Sequence, residues 1–477
     1  MLVSILLDQP PPHYTNLDTI SGRVLLRATS NTTVSSIIVK LEGESRTRLI
    51  PPPRPDYPNK QQRPVLEIHK ARDHSFTDIL YKTAVVFPPP NLQTLDWESH
   101  KYTLNVGEYE YPFAFKLPFN NACHTTNSLT GGLNIATLEI ARPPTRHVKQ
   151  TLPPSLTGYP GEAEVKYFVK CTVNRPSLLK ENPRSFVHFN FLPIEPPRPQ
   201  KADGEVYARR QHQFNPKLIP GPERKKPPRF SIDARLPNPA ILTLNDDLPL
   251  RVLVKQLNER TEPVYLQMFQ IELIGYTQVR AHEIMRTESN SWIIASFSNM
   301  AIPLGAPSDV PGTEVPINPE YWSDKPLPNT VAPTFETCNL SRYYELEVRV
   351  GLGYATYRHG LDQLIVLPLR LPVKVFSGIE PPPALLAAMA DPSKAAAAAA
   401  GSPNGIPPRK PVPGGMTASP YYAPSSPSPI APGYEDAPPS YEDAIATNLP
   451  PVNGPRRDYA PPPVPEGAPR FSSDEKR

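Results

Sequence analysis

Apolar and polar residues alternate with a period of two along most of the first 380 positions. Ile37, Val39 and Leu41 alternate with Ile38, Lys40 and Glu42. Val165, Tyr167, Val169, Cys171 and Val173 alternate with Lys166, Phe168, Lys170 and Thr172. Phe113, Phe115 and Leu117 show the same rhythm, as do Tyr344, Leu346, Val348, Val350 and Leu352, and finally Leu371, Val373 and Val375. Successive side chains of a strand point to opposite faces, so each run predicts a strand with one face for a core and one more polar face. Val3–Leu7, Gly22–Leu26, Val65–Ile68 and Leu80–Phe87 read as further strands, with proline-rich loops at 50–63 and 88–98. Many short strands with Pro, Gly and Asn turns and no long helical period predict β-sandwiches.

Composition divides the chain. Residues 1–197 and 228–379 are strand-rich and predict two immunoglobulin-like sandwich lobes, an all-β fold. Residues 198–227 are predicted as a basic linker, with Lys201, Arg209, Arg210, Lys217, Arg224, Lys225 and Lys226. Such a run reads as a solvated connector or as a contact for acidic phospholipid headgroups or a phosphorylated tail. Residues 380–477 carry 24 prolines and the alanine run Ala395–Ala400. A segment this poor in large apolar side chains cannot offset its ordering entropy, so a disordered tail is expected.

Charge and cysteine usage narrow the function. Fifty Lys and Arg stand against 46 Asp and Glu, a net charge of +4, too balanced to point to nucleic acid. Cys123, Cys171 and Cys338 are odd in number and widely spaced, which predicts neither a disulfide framework nor a zinc site and suits a reducing cytoplasm. The first residues lack a basic n-region and no run of 18 apolar residues exists, so neither a signal peptide nor a spanning helix is expected. No nucleophile elbow, zinc-protease or phosphate-loop motif occurs. Gly351-Leu-Gly353 lacks the third glycine of a dinucleotide loop and is expected to be a bend. Cys123 and His124 are adjacent in a presumptive strand and would face opposite ways, which argues against a catalytic pair. No catalytic residue, metal site or cofactor is predicted, and hence no enzyme.

The tail holds the most pointed motif. Ala431-Pro-Gly-Tyr-Glu-Asp-Ala437 is followed by Pro438-Pro-Ser-Tyr-Glu-Asp-Ala444, a unit written nearly twice. Its second copy contains Pro438, Pro439 and Tyr441 in the Pro-Pro-x-Tyr pattern that docks into WW domains. Paired prolines pre-set a polyproline II ridge, and the tyrosine supplies an aromatic anchor. With 68 prolines and 21 tyrosines, about 0.4 matches are expected by chance, so context must decide. A second match, Pro11-Pro12-His13-Tyr14, lies between two strand-like runs and is expected to be a loop without a ligand. Ser402, Ser419, Ser426 and Ser428 each precede a proline and are candidate phosphorylation sites.

The lobes resemble the arrestin-like proteins, and among them the fungal alpha-arrestins. The segment Leu104-Asn-Val-Gly-Glu-Tyr-Glu-Tyr-Pro-Phe-Ala-Phe-Lys-Leu-Pro118 is similar to that family's Gly-x-x-x-aromatic-Pro-Phe-x-Phe stretch. Gly22-Arg-Val, Leu41-Glu-Gly43, Leu152-Pro-Pro-Ser-Leu156 and, in the second lobe, Phe230–Pro239 and Val373–Gly378 carry further likeness. The resemblance implies an adaptor that recruits a WW-domain HECT-type ubiquitin ligase to transporters or receptors, contacting their cytosolic tails, and promotes their ubiquitination and endocytosis. It implies a cytoplasmic protein drawn to plasma membrane or endosomes, with peripheral membrane contact. Two other roles fit the same fold, a signalling scaffold on a membrane sensor and a coat-type trafficking subunit.

Overall fold

The computed structural model describes residues 1–52, 63–69, 79–93, 101–121, 150–159, 161–176, 181–219, 225–260, 262–354, 363–390, 441–454 and 456–463. In the first lobe β1 (Leu2–Leu7), β2 (Thr19–Ala28), β3 (Thr32–Val34), β4 (Ser36–Leu49), β5 (Val65–His69) and β6 (Leu80–Phe87) are followed by β7 (Tyr102–Leu104), β8 (Gly107–Lys116), β9 (Leu156–Tyr159), β10 (Ala163–Asn174) and β11 (Arg184–Phe189). Their main sheets run β1-β2-β8 and β11-β10-β4-β5, with β6 also on β4 and β9 on β10. Register explains the alternation. Ile37, Val39 and Leu41 pair with Val173, Cys171 and Val169, and all six side chains are fully buried. Each such aliphatic side chain contributes about 1.5–3 kcal/mol by leaving water. Phe113 and Phe115 fill the facing sheet from β8. Pro112 lies inside β8 rather than at its end; β8 is a sheet edge, where a missing N–H costs no ladder bond.

The second lobe holds β12 (Glu205–Gln213), β13 (Arg229–Pro237), β14 (Ile241–Thr243), β15 (Arg251–Gln256), β16 (Val264–Ala281), β17 (Ile284–Pro303), β18 (Glu314–Pro316), β19 (Phe335–Glu336), β20 (Leu340–Tyr354) and β21 (Gln363–Phe376). They form a β12-β13-β15-β18 sheet and a β14-β21-β20-β16-β17 sheet. The fold is all-β, as the alternation predicts.

Two sequence expectations are corrected here. The segment 198–227 is not a linker throughout, because β12 within it pairs with β13 along its whole length. Its Arg209 is a sheet partner: it chelates Asp233 of β13 through two 2.7 Å hydrogen bonds, and Arg235 of β13 adds a third at 2.9 Å. Gly351 and Gly353 form no bend and lie in β20. A Cβ on Gly351 would stand 2.7 Å from Met268 Cβ, and one on Gly353 would stand 2.8 Å from Gln267 Cγ. The glycines let the bulge of β16 between Leu266 and Met268 approach the neighbouring strand.

The lobes meet through polar side chains. Ser45 donates to Asn339 at 2.7 Å, and Thr47 donates to the Arg280 carbonyl at 2.5 Å. Arg342, buried, donates to Tyr159 at 3.1 Å and to Thr277 at 2.7 Å, and lies over the Trp292 and Tyr344 rings. Its described partners are neutral hydroxyls and π faces.

Parts of the tail fall within the described residues. Residues 382–449 form a unit of their own, in which α1 (Pro383–Ala390) packs on α2 (Tyr441–Asn448) through buried Leu385, Ala388 and Ala446. Beyond it, the segment from Pro450 belongs to the same compact unit as the two lobes.

Candidate functional site

Tyr441, the anchor of the tail motif, is the first residue of α2. Glu442 and Asp443 follow in the first turn, where carboxylates complement the positive end of the helix dipole. Thr447 donates to the Asp443 carbonyl at 2.8 Å. Pro438 and Pro439 lie outside the described residues, as do Ser402, Ser419, Ser426, Ser428, Cys123 and His124.

The N-terminal match is built differently. Pro11–Tyr14 connects β1 and β2, and Tyr14 is 4% exposed. Its N–H donates to the Asn190 carbonyl and its carbonyl accepts from Leu192 N–H, each at 2.9 Å. The ring meets Phe189 edge-on, centroids 5.2 Å apart. A tyrosine held on both sides of its backbone and covered by the core has no surface to offer a WW groove. The reading of this match as a structural loop agrees with the structure.

A second assembly was invisible to motif reading. Residues 456–463 lie across the lobe junction. From the first lobe, Asp18 accepts from Arg456 at 2.6 Å, and the Ser155 carbonyl accepts from the Tyr459 hydroxyl at 2.5 Å. Thr157 donates to the Pro462 carbonyl at 2.6 Å. From the second lobe, the Leu244 carbonyl and Asp246 accept from Arg457 at 2.5 and 2.6 Å. Asn245 donates to the Asp458 carbonyl at 2.9 Å. Tyr459 is 2% exposed, and its ring meets that of His13 edge-on.

Burial sets the electrostatics here. It pushes the Tyr459 phenol well above its usual range. It holds His13 down at about 4, helped by the Arg456 cation. Neither ring nitrogen of His13 has a hydrogen-bond partner among the described residues. Burial also lifts the Asp18 carboxyl, while the Thr15 N–H and Arg456 pull it back.

Among the described residues no cluster of His, Cys, Asp and Glu is suited to a metal, and no helix is long and apolar enough to cross a membrane. Cys171 and Cys338 are buried, and burial pushes the Cys171 thiol up to about 12, far from a reactive thiolate.

Two β-sandwiches in tandem, joined through a polar junction, form an all-β fold of the arrestin-like kind. Residues 3–151 match the family described as arrestin (or S-antigen), N-terminal domain. Over 124 residues the chain is 28% identical to arrestin-related trafficking adapter 10 of Lachancea thermotolerans. That match covers 25% of this chain and 28% of the relative, just over a quarter of the relative's length.

Proposed function

We propose that the protein is a trafficking adaptor whose Pro438, Pro439 and Tyr441 recruit a WW-domain HECT-type ubiquitin ligase to membrane cargo. The lobes engage the cytosolic parts of transporters or receptors at the plasma membrane or endosomes, and the ligase ubiquitinates them. The observation that carries this reading is the contrast between the two Pro-Pro-x-Tyr elements. One is spent on the core of the first lobe, with Tyr14 buried. The other falls in the separate unit 382–449. The trafficking role is drawn from the name of the Lachancea relative, and the adaptor class from the arrestin-type first lobe. Phosphorylation at Ser402, Ser419, Ser426 or Ser428 would add about −1.5 to −2 charge each near the acidic Tyr-Glu-Asp units and tune ligase docking.

The test is titration of a WW domain with the full-length protein and its Tyr441→Ala and Tyr14→Ala variants. Loss of binding in the first and retention in the second supports the reading. Undiminished binding by Tyr441→Ala overturns it.

A further inference from the structure

Within the unit 382–449 the chain pairs two short helices. α1 (Pro383–Ala390) packs on α2 (Tyr441–Asn448), and Leu385, Ala388 and Ala446 are buried. We propose that α1 is the support of the ligase-recruiting motif: by packing on α2 it holds Tyr441 at the mouth of a formed helix, and so strengthens WW binding without touching the motif. The inference rests on the ligase-recruiting reading above.

The sequence of α2 does not sustain a helix by itself. It has eight residues, and Asp443, Thr447 and Asn448 are poor helix formers. Isolated helices shorter than about 12–15 residues are marginal in water even when rich in alanine, so the helicity of α2 comes from packing. On α1, Leu385 and Ala388 are spaced i, i+3 and make one buried stripe, while Ala384, Leu386 and Ala387 are exposed. On α2 the buried residue is Ala446, and Glu442 and Asp443, which flank it by register, are half-buried.

The same packing leaves the anchor position open. At about 3.6 residues per turn, position 441 stands about 140° around α2 from Ala446. It shares a stripe with Ala444 and Asn448, and both of these are exposed. A WW domain can therefore approach this face of α2 while α1 stays packed on the other. Backbone conformation joins the two parts of the motif. Helical and polyproline II residues have similar φ, about −63° and about −75°, and differ in ψ. As the first residue of α2, Tyr441 suits the end of an extended ridge by its φ and the start of a helix by its ψ. Without α1 the residues after Tyr441 would be ordered only on binding, and that entropy would be lost from the affinity. When only a fraction of the chain holds the bound conformation, the apparent Kd rises by the inverse of that fraction.

The experiment uses full-length protein in four forms: wild type, Leu385→Asp, Thr447→Gly, and Leu385→Asp with Thr447→Ala. Leu385→Asp places a charge in the α1–α2 contact. Thr447 is exposed and lies outside the motif, and its substitutions lower or raise helix propensity. Hydrogen exchange of the Ile445–Asn448 amides reads α2, and titration with an isolated WW domain reads affinity. Leu385→Asp is expected to speed that exchange about tenfold and to weaken WW binding about fivefold. Thr447→Gly is expected to shift both in the same direction, and Thr447→Ala to recover part of the loss in the Leu385→Asp background. Should Leu385→Asp disturb the lobes, as read by circular dichroism, Thr447→Gly decides by itself. Unchanged exchange in Leu385→Asp overturns the proposal, because α1 would not be what holds α2. Faster exchange with unchanged WW affinity also overturns it, because the helix would then play no part in docking. So does tighter binding by Leu385→Asp, since α1 would then be masking the motif. The two readings fail separately. A wild type that binds no WW domain overturns the ligase-recruiting reading and this one with it, whereas a wild type that binds and is indifferent to Leu385→Asp overturns this inference alone.

Discussion

Tyr14 and Tyr441 occupy the same place in the same four-residue pattern, and the proposed function gives them opposite roles. Tyr441→Ala is expected to weaken WW binding at least tenfold by titration, because a short peptide loses about 2 kcal/mol with its one aromatic anchor. Tyr14→Ala is expected to leave that affinity intact and to destabilise the first lobe by about 3–5 kcal/mol in urea unfolding, as loss of a buried aromatic does. His13 makes a pH prediction. Its folded value, about 4, lies below the ordinary 6.5. Above pH 6.5 the group costs nothing. As pH falls from 6.5 towards 4, the unfolded chain takes up a proton that the folded chain refuses, so stability is lost across that window. Urea midpoints at pH 7.5 and 5.0 are expected to diverge more for wild type than for His13→Phe.

Among elements, the strands were legible and the polar seams between them were not. Period-two alternation in Ile37–Leu41 and Val165–Val173 marked β4 and β10, because burial on one face writes itself into every second residue. Strand β12 escaped notice, although Val206, Ala208 and His212 are its half-buried face. Arg209 on the opposite face, paired with Asp233, and the exposed Arg210 made the stretch resemble a solvated run. The junction partners Asn339, Thr277 and Arg342 carry no local signal of the junction, since their partners in the first lobe lie 118 to 294 positions away. Gly351 was seen but misread, because a glycine for close strand approach and a glycine for a bend look alike in sequence. Gly351→Ala is expected to cost about 1–3 kcal/mol by overpacking against Met268, measured as a shift in the unfolding midpoint. Phe113→Asp is expected to unfold the first lobe outright, by circular dichroism, because it places an unpaired charge in the core.

At the scale of the whole molecule, the tail motif could be found by pattern, whereas the docked segment could not. Arg456-Arg457-Asp458-Tyr459 sits among prolines just as the rest of the tail does, and only the shape of the lobe junction distinguishes it. A chain ending at residue 449 is expected to remain folded and strand-rich, with a melting temperature lower by a few degrees, since burial of Tyr459 is worth about 2 kcal/mol. Calorimetry of the two forms measures this.

The Arg456–Asp18 contact joins residues 438 positions apart. On a ribosome adding about 5–20 residues each second, Asp18 waits at least about 20 s for its partner. Both lobes can form in that interval, but the recess around His13 stays open until Tyr459 has been made. Closing it therefore follows the synthesis of both lobes. A chain cut short before Tyr459 would keep an apolar, proton-accepting recess exposed, a visible mark of incomplete synthesis on an otherwise folded protein.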